Sequence, residues 1–226
     1  VVHKGHIFKG RPEDADGALR PYPEEIPHLN EGELWLGTGF PAFPHVVLGA
    51  GGKVDLEVRQ EAALAVQTAL YRRRGGGGTV LLDRGSWIVT LHAQVRHCFD
   101  NGRYFAALNR ALMSFLHDLG LKGLCQAGLS DIAVKGKKLV GSSMFRRKFH
   151  LLFQASVLVS PDWSLLDQCL PYPPREPDYR KGRDHRSFLT CALEEGVSPS
   201  VFLFGDLEQV LGRLFLDEMQ QDRLIV

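Results

Sequence analysis

Two stretches of this sequence combine residue types that do chemistry. The first runs Arg72-Arg73-Arg74-Gly75-Gly76-Gly77-Gly78-Thr79-Val80-Leu81. Glycine loses more conformational freedom on folding than any other residue, so four in a row call for a reason. One reason is close approach of the backbone to a ligand. N–H groups with no side chains around them bind phosphate or carboxylate oxygens, and an arginine beside the loop clamps them bidentately. The other is a flexible turn with solvated arginines. The loop lacks both the Gly-Lys-Ser/Thr of a Walker loop and the G-x-G-x-x-G of a dinucleotide fold.

The second stretch is Asp131-Ile132-Ala133-Val134-Lys135-Gly136-Lys137-Lys138-Leu139-Val140-Gly141-Ser142-Ser143. Strand alternation sends Lys137 and Lys138 to opposite faces, so one of them points inward. An inward lysine neutralises charge developing at an acyl carbonyl or a bridging phosphate oxygen. The alternative leaves Lys135, Lys137 and Lys138 as turn residues in water. Together the two stretches suggest a site for an acylated or adenylated small molecule.

Other reactive side chains carry less. Cys98, Cys125, Cys169 and Cys191 form no C-x-x-C pair, which argues against a zinc knuckle or thioredoxin motif. So few cysteines make no disulfide scaffold, and a reducing cytoplasm is the expected setting. His92, His97, His117 and His150 show no metal-ligand spacing. His92 reads as a hydrogen-bonded rim residue, and Trp35 and Trp87 as core.

The elements that must position these residues follow from pattern. Residues 1–32 read as an extended arm broken by Pro12, Pro21, Pro23 and Pro27. Glu33–Leu36 and His45–Gly49 read as strands joined by a Pro/Gly turn, and residues 55–65 as a short helix. Residues 66–73 form a strand running into the glycine loop. Thr79–Leu82 and Trp87–Leu91 read as a hairpin turning at residues 83–86. Phe105, Leu108, Leu112, Phe115, Leu116 and Leu119 follow a helical period over 101–119, ended by Gly120. Strands are expected at 132–134, 138–140 and 149–159, and short helices at 163–169, 186–194 and 206–221. Residues 171–177 form a proline-rich linker. This order predicts an α+β fold with a mixed, largely antiparallel sheet and flanking helices.

Composition sets outer bounds. The chain has 226 residues, 44% hydrophobic and 23% charged, with a net charge of +1. That suits one large globular domain and gives no global field for nucleic acid or an anionic membrane. No apolar run reaches the roughly 20 residues of a membrane helix, and no apolar core follows the first charges as a secretory signal requires.

Arg-Arg-x-x-Gly-Gly-Gly-x-Val, followed by Asp-Ile-x-Val-x-Gly-Lys-Lys-x-x-Gly-Ser, resembles the lipoate–protein ligase A family. More broadly it resembles the biotin/lipoate ligase and octanoyltransferase superfamily. The resemblance covers roughly residues 33–160. It implies a catalytic domain over 33–226, related to class II aminoacyl-tRNA synthetases, that attaches lipoyl or octanoyl groups to a lysine of a lipoyl carrier domain through an acyl-adenylate. By that resemblance Arg73 contacts the adenylate, and Gly75, Gly76, Gly77, Gly78, Thr79, Val80 and Leu81 run along it. Lys138 is the lysine beside acyl carbonyl and phosphate. Asp131 is an acidic position where ligases hold magnesium, and Gly141 and Ser142 let the ligand lie on the strand. ATP and Mg are implied for a ligase, lipoate or octanoate as substrate, and no permanently bound cofactor. The implied partners are a 2-oxoacid dehydrogenase E2 or glycine cleavage H protein type carrier and an accessory ligase subunit.

The chain departs from the family in three places. The first 32 residues do not match its opening helix, Leu152-Phe153-Gln154 stands where ligases carry His-His-Gly, and 160–226 is too short for a full accessory domain. Two alternatives follow. One is an amidotransferase with Cys125 as nucleophile and no ATP, although a free cysteine more often behaves as a small apolar residue. The other is a non-catalytic lipoate-binding protein, or the subunit of a two-chain ligase.

Overall fold

The computed structural model describes residues 1–96 and 100–225; His97 and Cys98 lie outside them. In chain order the elements are β1 (Val2–Lys4), β2 (Leu19–Pro21), β3 (Leu34–Gly39), β4 (His45–Leu48), α1 (Val54–Glu57), α2 (Gln60–Ala65), β5 (Ala69–Arg72), β6 (Val80–Leu82) and β7 (Ser86–Gln94). They continue with α3 (Asn101–Asp118), β8 (Leu124–Ala127), β9 (Asp131–Val134), β10 (Lys137–Arg147), β11 (His150–Leu158), α4 (Trp163–Cys169), α5 (His185–Phe188) and α6 (Leu207–Gln221). The strands form a seven-stranded sheet, ordered β1-β3-β7-β11-β10-β9-β8, and a four-stranded sheet, ordered β2-β5-β4-β6. The larger is antiparallel apart from β1 on β3. The smaller is parallel apart from β4 on β6. The fold is α+β, as the pattern of elements predicts.

Alternation builds the large sheet's two faces. Trp87, Val89, Leu91 and Ala93 of β7 and Leu151, Phe153, Ala155 and Val157 of β11 are buried in one cluster with Leu108, Leu112 and Phe115 of α3 and Phe215 of α6. Trp87 stacks on Phe115 at 5.6 Å and 11°. Each such side chain contributes about 1.5–3 kcal/mol by leaving water. The intervening residues make the opposite face, which is polar along its middle. Gly37, Thr90, Gln154 and Ser143 stand in one cross-strand row of directly paired residues.

All four residues of β4 are buried, because the small sheet is covered on both faces. Val46 and Leu48 pack with Leu70, Leu81 and Leu166, whereas Val47 packs with Tyr22, Tyr71 and Ile88.

Several expectations need correction. The chain does turn at residues 83–86, with Ser86 N–H donating to Asp83 O at 3.0 Å. The flanking strands do not pair, however: β6 joins β4, and β7 joins β3 and β11. The turn is pinned elsewhere, since Asp83 Oδ2 accepts Asp162 N–H at 2.7 Å and a Cβ on Gly85 would lie 1.9 Å from Ser160 O. It is a transfer point between sheets, as is the Pro/Gly turn after β3. The helix expected over 55–65 breaks at Val58, extended at φ −138°, where burial of the valine outweighs helical continuity. The helix expected over 186–194 stops at Phe188, because extended Leu189 pairs with Lys138. The N-terminal arm supplies a strand to each sheet, β1 to the large and β2 to the small.

Candidate functional site

The glycine loop leaves β5 at the top of the small sheet, and its carbonyls are turned inward. Gly75 O accepts Ala50 N–H at 2.9 Å. Arg73 Nη2 donates to Gly76 O at 2.7 Å and Gly78 O at 2.8 Å, and Arg73 Nη1 to Val47 O at 3.1 Å. Gly77 O packs so closely on the preceding turn that a Cβ on Gly49 would sit 2.1 Å from it. Every peptide here is trans and planar, so an inward carbonyl sends the next N–H outward. The N–H groups of Gly76, Gly77 and Thr79 accordingly have no protein acceptor among the described residues. This row of free donors is what an anionic ligand requires.

Arg73 therefore differs from the sequence reading. It is buried, and its guanidinium holds the loop's carbonyls instead of facing out toward a phosphate. Burial pulls its pKa down to about 10, which leaves it charged at neutral pH. Thr79 Oγ1 donates to the buried Glu57 at 2.6 Å, anchoring the loop's far end. Leu81 turns its side chain into the small sheet's core, so of this residue the backbone alone is free for a ligand. Val80 is half-buried, packed beside Tyr71 and Ile88.

The loop meets the lysine strand at Gly75. A Cβ there would lie 3.0 Å from Ser143 Oγ and 3.3 Å from Met144 O. The two motifs, about 60 residues apart in sequence, thus border one candidate cleft, its roof the glycine loop and its floor the large sheet's polar face, which touch at Gly75.

Lys138 reaches that floor through a β-bulge. Lys138 pairs with Ala133 but Val140 with Ile132, which leaves Leu139 as the extra residue. The bulge changes the strand's parity, so Lys138, Gly141 and Ser143 share one face. Lys138 Nζ lies 2.8 Å from Asp131 Oδ1. It also lies on Gly141, where a Cβ would come within 2.8 Å of Cε and Nζ. Lys135 is the turn residue of the group, at φ 51° and paired with Glu195 at 2.8 Å. Ser142 departs from the expectation: it points to the other face, and its Oγ donates to Ser130 O at 2.6 Å. Ser143 is the serine in the cleft.

Asp131 does not fit a metal ligand in this arrangement. Lys138 takes one carboxylate oxygen and Tyr179 OH donates to the other at 2.8 Å. The charge that would attract a cation is matched by an ammonium. Among the described residues no group of three or more His, Cys, Asp or Glu side chains could hold a metal ion.

Cys125 lies exposed on edge strand β8. It is not the buried apolar residue that free cysteines usually become. It pairs with Ala133, which pairs with Lys138, so cysteine and lysine stand two strands apart on the same face.

Sequence reasoning missed the cleft's other end. His92 is buried, with Nδ1 3.0 Å from His150 Nε2 and its ring 5.1 Å from Trp35. Burial, with His150 and Arg74 adding repulsion, pulls the His92 pKa down to about 3. Burial, then Arg74, lowers His150 too. Arg74 lies 5.7 Å over Phe145 and 3.3 Å from the buried carboxylate of Glu24. Trp35 is thus a half-buried cleft residue, whereas Trp87 is core, as expected. The even positions of β7 hold the signal that would have found this end.

Known proteins share this chain's family and fold. The chain is 27% identical over 160 residues to the lipoate–protein ligase of Streptococcus pyogenes serotype M5, covering 68% of this chain and 43% of the relative. It is 27% identical over 186 residues to lipoate–protein ligase 2 of Staphylococcus aureus, covering 79% and 52%. The chain spans about half the length of these curated relatives. Among solved structures, the bi-partite lipoate protein ligase of Thermoplasma acidophilum, studied with its E2 lipoyl domain, superposes with a TM-score of 0.69 at 23% identity over 85% of this chain and 74% of that one. A lipoate–protein ligase A bound with ATP gives 0.66 at 22%, over 83% and 73%. These two show a shared fold. A family model, the lipoyl protein ligase A/B catalytic domain, matches residues 41–198, a span that includes the glycine loop and the lysine strand, and the chain belongs to that family.

Proposed function

We propose that this chain is the catalytic domain of a lipoate–protein ligase. Lipoate enters with its carboxylate near Lys138 and its chain along the floor toward Trp35. The carboxylate attacks the α-phosphorus of ATP, pyrophosphate leaves, and the lipoyl-adenylate lies under the glycine loop. The ε-amine of a carrier lysine then attacks the acyl carbon, AMP departs, and the amine loses a proton. The observation that carries this reading is a loop of unpaired N–H groups that meets, at Gly75, the strand bearing the inward Lys138. Free amides and an ammonium in one cleft stabilise the charge that develops on phosphate and carbonyl oxygens.

Partners follow the same reading. Because the neighbouring bi-partite ligase was studied with an E2 lipoyl domain, a lipoyl carrier domain of the E2 or H protein type is the proposed acceptor. The greater length of the relatives supports an accessory unit beyond this catalytic domain. The cytoplasm is the proposed setting, where Cys125, Cys169 and Cys191 stay unpaired; no helix of the described residues is long and apolar enough to cross a membrane. The cysteine route through Cys125 is not favoured by the ligase relatives.

The test is intact mass of an unmodified carrier domain. One arm supplies ATP, magnesium and lipoate; the other supplies octanoyl-carrier protein without ATP. The expected result is a lipoyl shift in the first arm, lost in Lys138→Ala with the fold intact. A shift confined to the second arm, abolished by Cys125→Ser, would replace this reading with the amidotransferase.

A further inference from the structure

We infer that Tyr179 is a positioning residue for Lys138, acting through Asp131. It sits 41 positions after Lys138 and belongs to neither motif; the structure alone brings it there. Its hydroxyl donates to Asp131 Oδ2 at 2.8 Å while Lys138 Nζ lies 2.8 Å from Oδ1. Asp131 is buried, so a second oxygen without a donor would carry a desolvation cost. Burial and the neighbouring carboxylate push the Tyr179 pKa up, so the phenol remains a donor wherever the enzyme is assayed.

The segment bearing Tyr179 is fastened to the β9–β10 hairpin at two further points. Arg183 Nη2 donates to Gly136 O at 3.0 Å, and Thr190 N–H donates to Lys138 O at 2.9 Å. The Tyr179 ring packs on Phe188 at 5.1 Å. Arg180 lies 4.8 Å from the Tyr172 ring and 4.7 Å from the Phe188 ring, which fixes the segment from behind. This clamp orients Lys138 twice, once through its backbone carbonyl and once through its carboxylate partner.

Charge gives the clamp its function. A carboxylate shared between a phenol and an ammonium holds the lysine in place while leaving N–H donors for the ligand. Without the phenol, the buried carboxylate takes both oxygens' donors from Lys138. The lysine is then held more tightly to Asp131 and offers less to the acyl carbonyl and phosphate. This rests on the acyl-transfer reading above, so the test includes a readout that needs no turnover.

The experiment compares wild type with Tyr179→Phe, which keeps the ring on Phe188 and removes the hydroxyl. Single-turnover transfer from preformed lipoyl-adenylate to the carrier domain is expected to slow about tenfold, with the carrier KM within about twofold and the variant still melting cooperatively as a folded protein, a few degrees lower at most. In parallel, Lys138 is labelled by reductive methylation in the ligand-free protein and quantified by mass spectrometry. Its labelling should slow about threefold in the variant, with Lys135 and Lys181 as internal references, because a lysine bound to both carboxylate oxygens is a poorer nucleophile. Unchanged Lys138 labelling overturns the inference, whatever the activity. Changed labelling in a protein that makes no product supports the positioning and removes the ligase reading instead.

Discussion

Replacing Arg73 separates the loop's shape from its chemistry. The guanidinium donates to Gly76 O at 2.7 Å and Gly78 O at 2.8 Å. Hydrogen bonds from a charged donor contribute about 1.5–3 kcal/mol each, so losing both costs the ordered loop about 3 kcal/mol at the lower bound. Once released, each glycine regains about 1–2 kcal/mol of backbone freedom that a ligand must remove again. At about 1.4 kcal/mol per tenfold, 3 kcal/mol weakens binding roughly 150-fold. Arg73→Ala should lose that factor for a non-hydrolysable lipoyl-adenylate analogue, measured by calorimetry. Arg73→Lys should fall between, because one ammonium cannot span two carbonyls as the planar fork does. An alanine variant that binds within about threefold of wild type, while melting as a folded protein, would refute the reasoning that Arg73 holds the amides in place.

Two further outcomes are expected. Gly141→Ala puts a methyl 2.8 Å from Lys138 Cε and Nζ, so the lysine must shift; single-turnover transfer should drop roughly a hundredfold with little change in melting temperature, and normal turnover would show that the resting position of Lys138 is irrelevant. His45 is wholly buried with Nε2 unpartnered among the described residues, and burial pulls its pKa down to about 4. Between about pH 6.5 and pH 4 the unfolded chain binds a proton that the folded one refuses, so stability falls with pH by up to about 1.4 kcal/mol per pH unit. Urea midpoints at pH 7, 6 and 5 should drop less in His45→Phe; an identical slope would exclude His45 as a source.

What the sequence could reveal depended on the range of the interaction concerned. Helix α3 was legible because its period is local: side chains three or four residues apart meet the same sheet face. The glycine loop and the lysine strand were legible as chemistry for a similar reason, being short and contiguous. The bulge at Leu139 was not, since it is defined by a partner strand, and without it the alternation assigns the cleft to Ser142 instead of Ser143. The supposed hairpin around residues 83–86 failed on the same ground. Its turn chemistry was right, yet β4 and β11 competed successfully for the two strands. Arg73 was read as a ligand clamp because a guanidinium beside free amides has two possible clients, and only three dimensions show that carbonyls claimed it.

The N-terminal arm has a consequence for how the two sheets are joined. It pairs with the large sheet at Val2–Lys4, crosses to the small sheet at Leu19–Pro21, and returns to the large one, where Gln94 Nε2 donates to Leu29 O. One stretch of chain thereby ties the small sheet, which carries the glycine loop, to the large one, and its Glu24 meets Arg74 at the cleft's other end. A change in the arm's length between Lys4 and Leu19 therefore bears on both sheets at once, through a segment remote in sequence from the glycine loop and from Lys138.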